Sequence, residues 1–202
     1  MKKIILKTIA AFDPTPRTSI SRLTVRHAFA FVSLVLACFG LSPGMRAGTS
    51  LGNGNTADGA GALQSLTTGI HNTAEGYQAL FSETTGKYNT ATGSQALKNN
   101  TADNNTADGF QALVKNTTGE DNTATGWRAL FLNTTGIFNT ANGSQALYIN
   151  TTGNGNTANG RGALFVNTTG SSNTAVGAFA LHDNTTGNKN IALEVGGLFP
   201  IG

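Results

Sequence analysis

From Asn55 onward the polar and apolar positions recur in one order, N-T-A-x-G-x-x-A-L-x-x-N-T-T-G-x-x, with a period of 17 residues. The N-T-A starts fall at 55, 72, 89, 105, 122, 139, 156 and 173, and a decayed ninth follows at Asn190-Ile191-Ala192. An Ala column (Ala57, Ala74, Ala91 and onward) and an Ala-Leu pair (62–63, 79–80, 96–97 and onward) supply the apolar positions. They do not sustain a 3.6-residue period across the intervening Gly, and Gly, Asn and β-branched Thr recur too often for helix. The Gly after N-T-A-x stands in all eight copies, Gly59 to Gly177, and marks a corner that needs positive φ or close backbone approach. N-T-T-G, as at 116–119 and 167–170, marks a second corner. Two corners predict two short extended segments per copy, one on N-T-A and one on A-L-x-x. A unit this short cannot bury a core alone, so it must stack on its neighbours. The predicted fold is all-β: a single-stack parallel β-solenoid of about eight 17-residue coils over residues 48–193, a rod roughly 38 Å long at the usual strand spacing.

The columns suggest what the rod buries. Leu80, Leu97, Leu113, Leu130, Leu147 and Leu164 form the predicted core. Adjacent strand residues point to opposite faces, so an apolar Ala-Leu pair in every copy implies burial on both. One face would meet the chain's own interior and the other a neighbouring chain; a bend at Ala-Leu that turns both inward in a monomer is the alternative. The next column, with Phe81, Val114, Phe131, Tyr148 and Phe165, favours a neighbouring chain. So does the thin core: two Ala, one Leu and often one larger apolar residue must offset the ordering of a whole coil.

Asn also falls in columns. Asn72, Asn89, Asn122, Asn139, Asn156 and Asn173, with Asn55 and Asn105, are placed for a stacked amide ladder. The N-x-T triplets at Asn116, Asn133, Asn150, Asn167 and Asn184 match glycosylation acceptors, but repeat geometry alone calls for Asn there. One copy is a residue short: Leu97 to Asn105 spans eight residues where Leu113 to Asn122 spans nine. A tighter corner is expected, with the flanking strands in register. In the ninth copy Glu194 takes the place of the corner Gly, and 194–202 reads as a cap on the open strand edge or a truncated tail.

Charge divides the chain. Seven of the thirteen Lys and Arg precede residue 48, while 48–202 holds six basic and nine acidic residues. The basic overall balance therefore gives no support to nucleic-acid binding. The basic N-terminal stretch leads into an apolar run, Ala28 to Leu41, too short for a membrane span and of signal-peptide length. Residues 1–47 are thus read as a signal peptide, with cleavage after Gly44 or Ala47, and the membrane is engaged only through this leader. Cys38, the only cysteine, lies in the leader beside a weak lipoprotein-like box, V-L-A-C, so the body has no disulfide or thiolate metal site.

Candidate chemistry is sparse. His71 and His182 stand far apart, and no repeat brings Asp and Ser to either, which leaves a Ser-His-Asp site unsupported. Asp103, Asn104, Asn105 and Asp108 cluster without a known Ca²⁺ spacing and read as a solvated turn. The Gly-rich strings lack the Lys and helix of a phosphate loop. No catalytic residue, metal or cofactor is expected. The column after the corner Gly varies most, and Tyr77, Phe110 and Trp127, with Arg128, form a candidate contact patch for protein or glycan. Packing of the same rings between coils or chains is the competing reading.

The N-T-A-x-G-x-x-A-L-x-x-N-T-T-G array, over about 49–193, resembles the repeats of bacterial trimeric surface fibres, above all the head of YadA-like trimeric autotransporter adhesins. Similar arrays occur in bacterial proteins that carry tail-fibre chaperone domains. The resemblance implies a left-handed β-roll, a homo-trimer, and a secreted or outer-surface location with a host or cell-surface protein or glycan as partner. The expected function is that of an exported, non-enzymatic structural or adhesive surface-fibre protein. The alternative is a solenoid that binds glycan or ice through flat Thr or aromatic columns, although the adjacent Thr pair of T-T-G should not share one face.

Overall fold

The computed structural model describes residues 49–193, which lie within one compact unit. The leader assigned to 1–47, with Cys38, and the tail 194–202 lie outside the described residues. Coils one to eight are numbered from their N-T-A starts at 55, 72, 89, 105, 122, 139, 156 and 173.

Each coil contributes one strand of three residues. After β1 (Thr49–Ser50) come β2 (Thr56–Asp58), β3 (Thr73–Glu75), β4 (Thr90–Thr92), β5 (Thr106–Asp108) and β6 (Thr123–Thr125). Then follow β7 (Thr140–Asn142), β8 (Thr157–Asn159), β9 (Thr174–Val176) and β10 (Ile191–Leu193). They form one sheet in sequence order, and β2 to β10 are all parallel. β1 folds back antiparallel onto the outer edge of β2. Like residues pair throughout, as Thr123 with Thr140 and Ala124 with Ala141. This is the β-solenoid of about eight turns that the period predicts.

The second predicted strand, on A-L-x-x, does not form. In its place the chain makes a tight corner through alternating backbone hands. In coil five φ is positive at Gly126 (128°), Arg128 (54°) and Leu130 (50°). Two main-chain bonds close the corner, Ala129 N–H to Gly126 O at 3.3 Å and Asn133 N–H to Leu130 O at 3.1 Å. Because Leu130 is left-handed rather than extended, the alternation rule fails there, and Ala129 and Leu130 both turn inward and are fully buried. A single chain therefore covers both columns, and the bend is the alternative realised. A left-handed Leu costs about 1–2 kcal/mol. Burying its side chain returns a comparable amount, about 1.5–3 kcal/mol, and its N–H donates to Ala146 O of the next coil at 3.0 Å.

Hydrogen bonding between coils continues around the whole circumference. Thr123 N–H reaches Asn139 O at 2.9 Å, Leu132 reaches Tyr148 at 3.0 Å, and Thr134 reaches Thr151 at 3.0 Å. On the opposite side Gly126 donates back to Asp108 O at 2.7 Å and Arg128 to Phe110 O at 3.0 Å. The turns are thus laddered as firmly as the strands. Only Gly fits the first corner: a Cβ on Gly126 would lie 2.7 Å from the carbonyl carbon of Gly143.

The interior is half amide. From coil two to coil seven the Ala columns and Leu80, Leu97, Leu113, Leu130, Leu147 and Leu164 have no exposed surface, and neither do two Asn in most coils. In coil five Asn122 Nδ2 and Asn133 Nδ2 both donate to Gly136 O, at 2.8 and 3.0 Å. No buried side-chain polar atom among the described residues lacks a partner. These bonds supplement the thin apolar core, since a fully paired buried network stabilises and also specifies register. The short copy follows suit. Ala102 O accepts Asn89 at 2.7 Å and Asn100 at 2.8 Å in the role that Gly136 O fills elsewhere, and β4 and β5 stay in register.

Candidate functional site

With every N-T-A alanine turned inward, the residues on either side of it point out. Thr106, Thr123, Thr140 and Thr157 form an exposed column on the sheet, beside a second column that includes Asp108, Thr125 and Asn142. Apart from Leu66 and Glu83 in the inner Asn column, variation falls on such outward columns, which makes them the candidate functional surface.

The three aromatics of the contact patch are all on that surface. Tyr77 is 54% exposed, Phe110 42% and Trp127 43%, so none packs between coils. They share one column but not one cluster. Ser94 separates Tyr77 from Phe110, and no ring pair among the described residues joins the three. Trp127 instead lies against Arg128, whose guanidinium sits 4.6 Å from its ring centroid and 5.2 Å from that of Phe131. Arg128 Nε also donates to Gln111 Oε1 at 2.9 Å. That oxygen ends a short polar ladder in which Gln111 donates to Gln95 at 2.7 Å and Gln95 to Gln78 at 3.3 Å. The geometry thus joins Trp127, Arg128 and Phe131 into one amphipathic cluster and leaves Tyr77 apart.

A second ring column runs along the corner after Leu. Phe131, Tyr148, Phe165 and His182 stack with centroids 5.1, 5.0 and 5.0 Å apart and planes within 8°. The repeat signals this column, since those positions follow Leu in consecutive coils.

The Asn columns divide their work. In the first, Asn72 Oδ1 accepts the backbone N–H of Asn89 at 2.9 Å, and the same bond links Asn122, Asn139, Asn156 and Asn173 to the coils before them. Direct amide-to-amide bonds there measure 3.1–3.2 Å. The shorter ladder is the N-T-T-G column, where Asn116, Asn133, Asn150 and Asn167 are linked at 2.7–2.8 Å. These four are fully buried, which closes them to glycosylation in the folded chain. Glu83 occupies the same column in coil two and is also fully buried, a site that its departure from the repeat does not announce. Burial pushes its carboxyl above the ordinary 4.5, against the lowering effect of bonds from Asn100 and the Gly86 and Thr84 backbone.

Reactive groups are scattered. His71 stacks on Tyr88 with centroids 5.4 Å apart, and His182 Nδ1 lies 2.6 Å from Asp183 Oδ1. No cluster of metal-ligating side chains occurs among the described residues. A bowl of about 630 Å³ opens at coil one, walled by Leu51, Asn55, Ala57, Leu63, Leu66 and their neighbours, with no titratable side chain in its lining. No helix among the described residues is long and apolar enough to cross a membrane. No protein-family model, curated protein or solved structure matches the chain. The surface columns, rather than a relative, carry the functional reading.

Proposed function

We propose that this chain is an exported, non-enzymatic repeat protein that acts as a structural or adhesive element of a surface fibre. The observation that carries the reading is the division of labour within each coil. Inward positions keep one character from coil three onward and leave no buried polar side chain without a partner, while variable residues, including exposed Trp127 and half-buried Arg128, lie on the outer surface. Such a rod gives stiffness and a long presentation surface, and among the described residues no grouping of acid, base and nucleophile accompanies it. A Trp-Arg pair on a rigid support suits recognition of a protein or glycan.

The test is binding of the full chain to immobilised glycans and extracellular-matrix proteins. W127A and R128A should each lower the bound signal at least tenfold with circular dichroism unchanged. Lack of saturable binding to any surface, or binding indifferent to both substitutions, contradicts the adhesive reading. Export predicts a secreted protein whose N-terminus begins after Gly44 or Ala47.

The exposed Thr column of the strands favours a second reading, ice binding, more than the T-T-G pair does. The neighbouring column weakens it, because Asp58, Glu75 and Asp108 place charge on the same face. A thermal-hysteresis assay should show no freezing-point gap; a gap would replace the adhesive reading with this one.

A further inference from the structure

Apolar character on the outer corner is not uniform along the rod. The two residues after the Leu are Phe131-Leu132 in coil five, Tyr148-Ile149 in coil six and Phe165-Val166 in coil seven, all half-buried. Coil four has Val114-Lys115 and coil eight His182-Asp183, with Lys115 and Asp183 exposed. Coils one to three carry Ser65, Ser82 and Asn99 in the second position. The apolar ridge is therefore centred on coil six and bounded by one cation and one anion, two coils away on either side. Its rings cover each other's faces at 5.0–5.1 Å, so only edges point outward. That makes a poor platform for a sugar ring and a good ridge for packing against another protein surface.

We infer that this ridge binds a second copy of the chain, antiparallel, with a two-fold axis crossing the rod at coil six. An axis in that direction sets like column against like column and coil four against the partner's coil eight. Lys115 then faces the partner's Asp183, twice per dimer. Tyr148 meets the partner's Tyr148, and Phe131 meets the partner's Phe165. Arg128 stands opposite the partner's Gly162, which has no side chain. Parallel assembly of two or three chains instead sets each coil beside its own copy. It sets Lys115, Arg128 and Asp183 at the same level as their own copies, with no opposite charge to pair with Lys115 or Asp183, an arrangement that selects against it. The interface is isologous and closes at two chains. Five coils at about 4.8 Å span roughly 24 Å. A strip that short buries less than the ~800 Å² per partner of a standard interface, so a weak, reversible dimer with a Kd in the micromolar range is expected. The inference rests on the fold and its charges, not on the surface-fibre reading.

The experiment is sedimentation velocity on the full chain from about 1 to 300 µM, bracketing that Kd. A shift from one-chain to two-chain mass is expected. K115D and D183K should each raise the Kd at least tenfold, with unchanged circular dichroism. An equimolar mixture of the two should recover dimerisation, because every facing pair is then of opposite charge, and the K115D/D183K double variant should recover it too. A trimer, a monomer at every concentration, or charge reversals that leave the mass unchanged would overturn the inference. So would a mixture that behaves like its separate components.

Discussion

Asn100 Nδ2 donates to Glu83 Oε2 at 2.8 Å, and with that bond a column of buried amides ends on a carboxyl group, whose oxygens accept. From Asn184 through Asn167, Asn150, Asn133 and Asn116 to Asn100, each amide donates to the oxygen of the coil before it. The polarity is uniform, so the first coil in the column must supply a free acceptor. Glu83 does so, taking Asn100 and Asn89 on one oxygen and Gly86 N–H on the other. Leu66, one coil earlier in the same column, has nothing to donate or accept.

That position makes Glu83 a source of pH dependence. Its folded pKa is raised above the ordinary 4.5, chiefly by burial. The folded chain then keeps a proton that the unfolded chain has already lost. Stability from this group is greatest at low pH, falls as pH rises above 4.5, and levels off beyond the folded value. E83N restores the column residue and removes the titration. Urea midpoints compared between wild type and E83N from about pH 4 to 8 should diverge through that window. Parallel curves would show that Glu83 does not couple to folding.

The corner Gly column should tolerate nothing else. G126A places a Cβ 2.7 Å from the Gly143 carbonyl carbon at a φ of 128°, and strain plus clash should cost about 3 kcal/mol or more. Gly155 is the contrasting case. Its φ is 64° and the nearest atom to an added Cβ is Ser172 Oγ at 3.8 Å. Its column already holds Asn104 and Asp121 at φ 60° and 56°. G155N should change stability by no more than about 0.5 kcal/mol by urea denaturation.

Core truncation should be costly, although the turn around it is irregular. L147A removes a fully buried side chain and should cost about 2–5 kcal/mol. N133A breaks the bonds to Asn116, Gly136 and Asn150 and leaves buried partners unpaired, for about 2–4 kcal/mol. If N133A proved neutral while L147A did not, the interior would be apolar in energetic terms and the amide column incidental.

The acceptor triplets give a chemical test of the same burial. Expressed in a glycosylating host, chain that folds before modification should carry no glycan at Asn116, Asn133, Asn150 or Asn167 by intact mass. Full occupancy at these sites would mean that their side chains reach solvent.

Register and burial were legible because a strict period turns each column into one environment. Ala57, Leu80 and Asn122 needed no more than their spacing to be placed inside. The shape of the coil was harder. Leu carries no turn signal, and alternation assumes extended backbone, so Leu130 at φ 50° hides a corner where a strand is expected. Hence the structure needs no second chain behind Ala-Leu, and the case for assembly moves to the next two columns. The sequence left exposure and packing of the aromatics open, and it did not show the partition that ties Trp127 to Arg128 and Phe131 and leaves Tyr77 alone. That depends on side-chain reach across coils. Glu83 shows the same limit, since its role follows from the direction of a hydrogen-bond chain rather than from its own identity.

Residue-resolved hydrogen exchange tests the continuous ladder most directly. Amides of the left-handed Leu residues, such as Leu97, Leu130 and Leu147, bond to the following coil and should be protected as strongly as those of Thr123 and Thr140 in the strands, with protection highest in the central coils. Rapid exchange at the Leu amides beside slow exchange in the strands would contradict the account, reducing the solenoid to a narrow sheet with loose loops.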